Sequence, residues 1–121
     1  MKVLLSIKPE FIQKIITGEK KFEYRRRIFK KDVESVIIYA SSPWKVVIGE
    51  FLIDEIIEKE LNILWQETHK YSGIDKDFFC RYFDGVKLGY AIKIGKLCLY
   101  EKPIRIEKLG KKPPQSFLYI N

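Results

Sequence analysis

The spacing of apolar and polar residues in the first quarter of the chain predicts a strand, a helix and a second strand. Residues 2–7 form a short, mostly apolar run that is typical of a buried strand. Pro9 suits the first turn of the helix, and Gly18 suits the left-handed position just beyond its end. Residues 22–26 alternate apolar and polar positions and indicate a half-buried strand. The helix presents one apolar face, formed by Phe11, Ile12, Ile15 and Ile16.

The middle of the chain predicts two further strands followed by two helices. Residues 33–40 are nearly all apolar and indicate a central strand, and residues 46–57 indicate a longer one with a possible bulge at Gly49. Gly73 lies past the end of the first of these two helices, and Asp75 suits the N-cap of the second. The second helix carries an aromatic stripe that we interpret as core rather than as a base-stacking platform. The stripe consists of Phe78, Phe79, Tyr82 and Phe83.

The last third of the chain predicts a bent strand or a hairpin pair over residues 88–100. Apolar residues there occupy even positions before Gly95 and odd positions after it, so we expect a bulge at Gly95-Lys96. Residues 117–120 indicate a closing strand. Five to six strands with about three short helices predict an α+β fold, a small and partly open β-barrel, formed by residues 1–121 as a single domain.

Composition limits the class of protein. Of the 121 residues, 46% are hydrophobic and 14% aromatic, which suffices for one packed core. No apolar run approaches the roughly 20 residues of a membrane span, and the N-terminal run is too short for a signal peptide, so we expect a cytoplasmic protein. Cys80 and Cys98 have apolar sequence neighbours and are interpreted as reduced, buried thiols. The lone His69 lacks a neighbouring ligand set, and we expect neither a metal nor a cofactor.

Charge is distributed unevenly along the chain, and the net charge is +7. Residues 14–31 contain eight Lys or Arg against two Glu, and residues 93–112 contain seven against two. Residues 50–77 are acidic, with eight carboxylates against three lysines. If the basic segments meet in the fold, they form a surface that attracts polyanions, nucleic acid first. The alternative is that these charges only keep the protein soluble.

Mixed charges stand where the first helix gives way to a strand, in the pattern Gly18-x-Lys20-x-x-Glu23-x-Arg25. Such residues make poor core and a good wall for a site that binds polar, anionic or heterocyclic ligands. Lys20 suits a phosphate or carbonyl oxygen, Glu23 suits a base N–H or a proton transfer, and Arg25 suits a bidentate phosphate contact. The alternative is a modest surface ion pair between Lys20 and Glu23, or an Arg25 that only neutralises Glu23.

This pattern, together with other segments in the same order, resembles the ASCH domain family of the PUA-like superfold. The helix begins near a proline in Ser6-Ile7-Lys8-Pro9, and the charged pattern follows it. The similarity extends over most of the chain. The other matching segments are Tyr39-Ala40-Ser41-Ser42-Pro43, Gly49-Glu50-Phe51, Gly89-Tyr90-Ala91-Ile92 and Pro113-Pro114-Gln115-Ser116-Phe117.

The resemblance implies a PUA-like β-barrel with helices at its openings and a cleft that binds RNA or modified nucleosides. It also implies two enzymatic alternatives, because some small members are amidohydrolases of N4-acylated cytidines and some have been described as ribonucleases. Lys20 falls on the position of the lysine that serves the amidohydrolases. Glu23 stands where they have a threonine, and a carboxylate does not replace a hydroxyl nucleophile.

Six further residues are candidates for ligand binding beside the charged pattern. Lys8 precedes the first helix and suits the mouth of the same cleft. Gln115 and Ser116 follow two prolines and suit the edge of a base, on which Tyr90 would stack. Two serines after the central strand, Ser41 and Ser42, suit a ligand or simply form a turn.

The main hypothesis is therefore a module that binds RNA or a modified nucleoside in a polar cleft around Lys20, Glu23 and Arg25. The alternative is a small hydrolase, acting on an N4-acylcytidine or on RNA, in which Lys20 and Glu23 are the catalytic residues. A third possibility is a regulatory domain with a protein partner.

Overall fold

The computed structural model describes all residues, 1–121, as a six-stranded sheet with three α-helices and two 3₁₀ turns. The strands are β1 (Lys2–Ile7), β2 (Phe22–Arg25), β3 (Ser35–Ala40), β4 (Val46–Glu60), β5 (Leu88–Ile104) and β6 (Phe117–Ile120). The helices are α1 (Pro9–Thr17), α2 (Leu61–Thr68) and α3 (Lys76–Tyr82), with 3₁₀ turns at His69–Tyr71 and Ile106–Leu109.

The sheet has the strand order β2-β5-β4-β3-β1-β6. Strands β1 and β3 are parallel, and every other neighbouring pair is antiparallel. Strands β2 and β6 form the two edges and do not pair with each other, so the sheet is not closed. The predicted α+β fold, with its open barrel-like sheet and three helices, is confirmed.

Side chains bridge the gap that the two sheet edges leave. Arg25 on β2 donates from Nη2 to the carbonyl oxygen of Ser6 at 2.9 Å, and from Nη1 to that of Ser116 at 3.4 Å. Ser6 in turn donates from Oγ to the carbonyl oxygen of Pro114 at 2.8 Å. These contacts, which we call the seam, join β2 to β1 and to the segment that precedes β6.

The end of the first basic segment contacts strand β6 at this side of the fold. The amide groups of Lys30 and Lys31 donate to the hydroxyl of Tyr119 at 2.9 and 3.2 Å. The ammonium of Lys31 also lies 4.9 Å from the centre of the Tyr119 ring. The loop after β2 therefore packs against β6, a few residues beyond Lys111 and Lys112.

Three groups of apolar side chains make up the core. The largest lies between α1 and the inner face of the sheet, and the second joins α2 and α3 to β2. The third covers the outer face beneath the turn at Ile106. On α3, Phe79 and Phe83 are buried, as the interpretation of the aromatic stripe as core requires, but Phe78 and Tyr82 are only half-buried.

The bulge predicted at Gly95-Lys96 is confirmed, and the hairpin alternative is wrong. Between the pairs Phe51–Leu97 and Ile53–Ile94, β4 advances by two residues while β5 advances by three. The switch of apolar positions reflects this extra residue in one long strand. A Cβ on Gly95 would lie 2.8 Å from the backbone carbonyl oxygen of Leu52, so the bulge leaves room for glycine alone.

The prediction of buried cysteines is wrong, because Cys80 and Cys98 are both exposed. Neighbouring residues of a strand point to opposite faces, so the leucines on either side of Cys98 do not surround its thiol. Cys98 pairs with Glu50. Cys80 follows Phe79 on α3 and lies outside the buried face of that helix. No helix is long and apolar enough to span a membrane.

Candidate functional site

A half-open pocket of about 150 Å³ lies where the start of α1, strand β2 and helix α3 meet. A void of about this size accepts one benzene ring in other proteins, so the pocket has room for a single flat ring. Its wall combines charged groups with aromatic rings. The lining residues are Ser6, Ile7, Lys8, Phe11, Lys20, Glu23, Tyr24, Arg25, Ile74, Phe78 and Tyr82.

The turn between α1 and β2 places Lys20 in the pocket wall. Gly18 ends α1 with a φ of 85°, a left-handed conformation that glycine adopts without strain. The amide of Lys20 then donates to the carbonyl oxygen of Lys14 at 3.0 Å, and Lys20 forms an isolated antiparallel bridge with Ser72. The backbone of Lys20 is therefore held in place independently of the contacts of its side chain.

Lys20 is buried, with 2% of its surface exposed. Its Nζ donates to the carbonyl oxygen of Ser72 at 2.8 Å and lies 5.0 Å from the ring centres of both Phe11 and Tyr24. Burial lowers the pKa of Lys20 below 10.5. Glu23 opposes that shift, and the nearby cations Lys14 and Arg25 add to it.

Glu23 and Arg25 form an ion pair on one face of β2. Nη2 of Arg25 lies 3.0 Å from Oε2 of Glu23, and Glu23 is only 6% exposed. The alternative of a surface ion pair between Lys20 and Glu23 is wrong, because both side chains are buried and each has another partner. The Nε of Arg25 is buried without a hydrogen-bond partner, so the guanidinium retains one unused donor.

Tyr24 and Tyr82 are held by their hydroxyls. Tyr24 donates to Oγ1 of Thr68 at 2.6 Å, and Thr68 donates to the carbonyl oxygen of Leu64 at 2.7 Å. Burial raises the pKa of Tyr24 to about 12. Tyr82 donates to the carbonyl oxygen of Tyr24 at 3.0 Å, and burial raises its pKa as well. Both phenols are therefore neutral near pH 7 and present fixed rings to the pocket.

The sequence profile of the ASCH domain matches residues 5–108, which is most of the chain. This chain belongs to the ASCH domain family. The crystal structure of ASCH from Zymomonas mobilis is similar to it with a TM-score of 0.89 and 28% identity, covering 99% of this chain and 87% of that one. A curated Zymomonas mobilis protein named ASCH domain-containing ribonuclease is 29% identical over 97% of this chain and 82% of its own length.

More distant relatives contain a similar sequence as part of longer proteins. This chain is 26% identical to ATP synthase subunit alpha and 25% identical to large ribosomal subunit protein uL22, both of Ureaplasma parvum. The alignment covers 98% of this chain in each case, but only 15% of the first protein and 39% of the second. The N-terminal domain of Staphylothermus marinus McrB shares the fold alone, with a TM-score of 0.53 and 14% identity over 89% of this chain and 78% of that one.

Four of the nine predicted binding residues of this ASCH domain line the pocket together, namely Lys8, Lys20, Glu23 and Arg25. Ser116 borders it only through the carbonyl oxygen that accepts from Arg25. Tyr90 pairs with Arg25 across β2 and β5, which puts both side chains on one face, yet Tyr90 does not line the pocket. The structure places Ser41 and Ser42 in the turn after β3 and leaves Gln115 exposed, all outside the lining.

Sequence reasoning missed the aromatic part of the ASCH pocket. Phe11 and Phe78 meet edge to face at 5.6 Å, and Tyr82 lies one turn beyond Phe78. The signal was present in the stripe of α3, which contains two pairs at a spacing of four residues. One pair, Phe79 and Phe83, is core, while the other, Phe78 and Tyr82, lines the pocket.

The pocket contains a single carboxylate, that of Glu23. No group of three or more His, Cys, Asp or Glu side chains is placed to hold a metal ion. The chemistry that this chain's own residues offer is therefore an ammonium, a carboxylate and a guanidinium that face one ring-sized space.

Proposed function

We propose that this protein is a ribonuclease that cleaves single-stranded RNA at the pocket. The observation that carries the proposal is the shared position of Lys20 and Glu23, both buried and both facing a space that one base or sugar fills. Aromatic rings around that space suit an unstacked base. The relative named as a ribonuclease supports the same substrate class.

Glu23 is the proposed general base, and Lys20 the proposed acid. Glu23 accepts the proton of the ribose 2′-hydroxyl as the 2′-oxygen bonds to phosphorus, and the bond between phosphorus and the 5′-oxygen breaks. Lys20 donates a proton to that leaving oxygen. The products are a 2′,3′-cyclic phosphate and a 5′-hydroxyl, so protons and bonds balance.

In this proposal, Arg25 orients the general base, Glu23. Its ion pair at 3.0 Å fixes one oxygen of Glu23, and the hydrogen bond to Ser6 fixes the guanidinium. Lys8, which is exposed at the pocket, would meet the neighbouring phosphate.

Cleavage of a labelled single-stranded RNA tests the proposal. We expect fragments ending in 2′,3′-cyclic phosphate, and no cleavage where a 2′-deoxynucleotide occupies the scissile position. Lys20→Ala and Glu23→Gln should each lose about 10²–10⁴-fold in rate, the usual effect of removing an acid or base. Lys21→Ala is the matched control, because Lys21 is exposed next to Lys20 and packs on Tyr71 instead.

Three outcomes would contradict the ribonuclease proposal. Cleavage that survives in Lys20→Ala would come from another enzyme in the preparation. RNA that is retained at low salt but stays intact would support the binding module predicted from the sequence. Release of acetate from N4-acetylcytidine, with RNA left intact, would support the amidohydrolase alternative.

A further inference from the structure

Residues 71–74, which run from the last residue of the first 3₁₀ turn toward α3, pack around Lys20. The amide of Lys21 donates to the carbonyl oxygen of Tyr71 at 2.8 Å, and Nζ of Lys20 donates to that of Ser72 at 2.8 Å. On the other side, Nζ of Lys14 donates to the carbonyl oxygen of Gly73 at 2.8 Å. The 71–74 segment therefore contacts the ammonium of Lys20 and the amide of the residue that follows it, although Ser72 lies 52 positions from Lys20 in the sequence.

Gly73 lies flat against the aliphatic part of Lys20. A Cβ on Gly73 would lie 2.8 Å from Cβ of Lys20, 3.1 Å from Cγ and 3.2 Å from Cδ. These are the inner atoms of the side chain, which cannot swing away without moving the ammonium. The φ of Gly73 is +71°, so the backbone is also in a conformation that glycine adopts most readily.

Ser72 stiffens the same segment from within. Its Oγ donates to the carbonyl oxygen of Ile74 at 2.9 Å and accepts from the amide of Ile74 at 3.3 Å. Ser72 is 1% exposed, so its carbonyl oxygen has no water to replace Lys20 as a partner. Ile74 continues directly into the pocket wall.

We infer that Gly73 is a positioning residue for Lys20, and that the absence of a side chain there lets the 71–74 segment press the lysine into the pocket. The inference deepens the proposed function, on which its catalytic part rests. The lowered pKa of Lys20 agrees with this geometry, because the segment supplies part of the burial. The other polar and charged groups that face Lys20 are Lys8, Lys14, Glu23, Tyr24, Arg25 and Tyr82.

Gly73→Ala tests the inference, with Gly110→Ala as its matched control. Gly110 has a φ of +67°, close to that of Gly73, but a Cβ there would meet nothing within 4 Å. Both variants therefore carry the same backbone strain, and only one adds an atom against Lys20. The two should unfold at similar denaturant concentrations, apart from the contribution of the clash.

Competitive acetylation from pH 7 to 11, read by mass spectrometry, reports on the Lys20 amine without any RNA. In the wild type and in Gly110→Ala, the midpoint for Lys20 should lie below 10.5. In Gly73→Ala it should move up toward 10.5, and the limiting rate should rise at least fivefold as the amine becomes exposed. An unchanged midpoint and rate in folded Gly73→Ala would overturn the inference.

RNA cleavage supplies the second measurement. Gly73→Ala should lower kcat at least tenfold with KM changed less than threefold, while Gly110→Ala keeps both. If the wild type does not cleave RNA, the proposed function fails, and acetylation still decides whether Gly73 positions Lys20. If Gly73→Ala does not fold, Ser72→Ala loosens the segment without a clash and should move the acetylation midpoint in the same direction. An unchanged midpoint there would overturn the inference.

Discussion

Lys20 is buried, and burial opposes the positive charge of its ammonium. The stability of the folded protein therefore depends on pH. The folded pKa is lowered, so between that pKa and 10.5 the unfolded chain binds a proton that the folded chain has released. The free energy of unfolding must therefore rise with pH across this window. The total rise is about 1.4 kcal/mol for each unit by which the pKa lies below 10.5.

Urea unfolding of the wild type and Lys20→Met between pH 7 and 10 measures this dependence. The wild type should gain stability relative to the variant as pH rises. The series ends at pH 10 because tyrosines with a raised pKa, such as Tyr24, lower the free energy of unfolding above that pH. In the unfolded chain these tyrosines ionise at about pH 10, while in the folded protein they remain neutral. A constant difference between the proteins would mean that Lys20 titrates normally.

The same lowered pKa sets the alkaline limit of RNA cleavage. If Lys20 acts as the acid, kcat/KM must fall as pH rises through its folded pKa, at a pH below 10.5. Rate profiles measured with wild type and with the control Lys21→Ala should show the same limit. A rate that keeps rising to pH 10.5 would exclude Lys20 as the proton donor.

Arg25 serves the ion pair and the seam at once. Arg25→Met would leave the carboxylate of Glu23 buried and unpaired, which costs about 3–5 kcal/mol of stability. Adding Glu23→Gln removes the buried charge, so the double variant should recover a part of that loss. A double-mutant cycle by urea unfolding checks this. If the two changes simply add, the pair does not contribute as the geometry indicates.

The charged residues of the site follow from sequence, and its aromatic residues do not. Lys20, Glu23 and Arg25 lie within six positions, so the turn and strand that carry them fix their order and their faces. The rings of Phe78 and Tyr82 reach the pocket only because α3 folds back on β2. That contact joins residues more than fifty positions apart, so the stripe of α3 shows two pairs of rings but not which pair faces the pocket.

At the level of elements, α3 matters most for the site, although it has only seven residues. Its N-cap is Asp75, whose Oδ1 accepts from the amide of Phe78 at 2.8 Å. Asp75→Ala should therefore cost about 1 kcal/mol of stability. Because α3 carries two pocket rings, the variant should also bind RNA more weakly.

Asp77→Ala is the control for that variant, since Asp77 lies in the same first turn of α3 but accepts no capping hydrogen bond. Thermal unfolding and KM for RNA together check the prediction. Equal effects of the two changes would mean that charge near the helix start, rather than the cap, stabilises α3.

Most element boundaries could be predicted because breakers and periodicity agree. Gly18 ends α1, and Asp75 caps α3, as their positions in the sequence indicate. Strand β5 was ambiguous because a bulge and a chain reversal both change the apolar register, and only the pairing with β4 distinguishes them. The cysteines were misjudged for a related reason, since exposure depends on the face and not on sequence neighbours.

For the whole molecule, the contact between the loop after β2 and strand β6 fixes two cations, Lys30 and Lys31, at the β6 edge of the sheet. RNA affinity should fall linearly with salt on logarithmic axes, with a slope of about 0.7 for each phosphate contact on a single strand. The double variant Lys30→Gln/Lys31→Gln should reduce that slope, because both lysines lie on this loop.

Lys59→Gln/Lys76→Gln is the matched control, since it removes the same charge from the acidic part of the chain. Filter binding of a single-stranded RNA from 50 to 300 mM salt would compare the slopes. Equal slopes for the two double variants would mean that the RNA does not bind along the loop after β2.

The seam has an evolutionary consequence. Where barrels close through backbone hydrogen bonds, almost any side chain is compatible with closure; here the closing contacts depend on Arg25. A mutation of Arg25 thus changes two properties together, the stability of the fold and the chemistry beside Glu23. Selection cannot alter one trait there without altering the other. New specificities should therefore arise at Phe78 of α3, where a substitution changes the shape of the pocket and leaves the sheet intact.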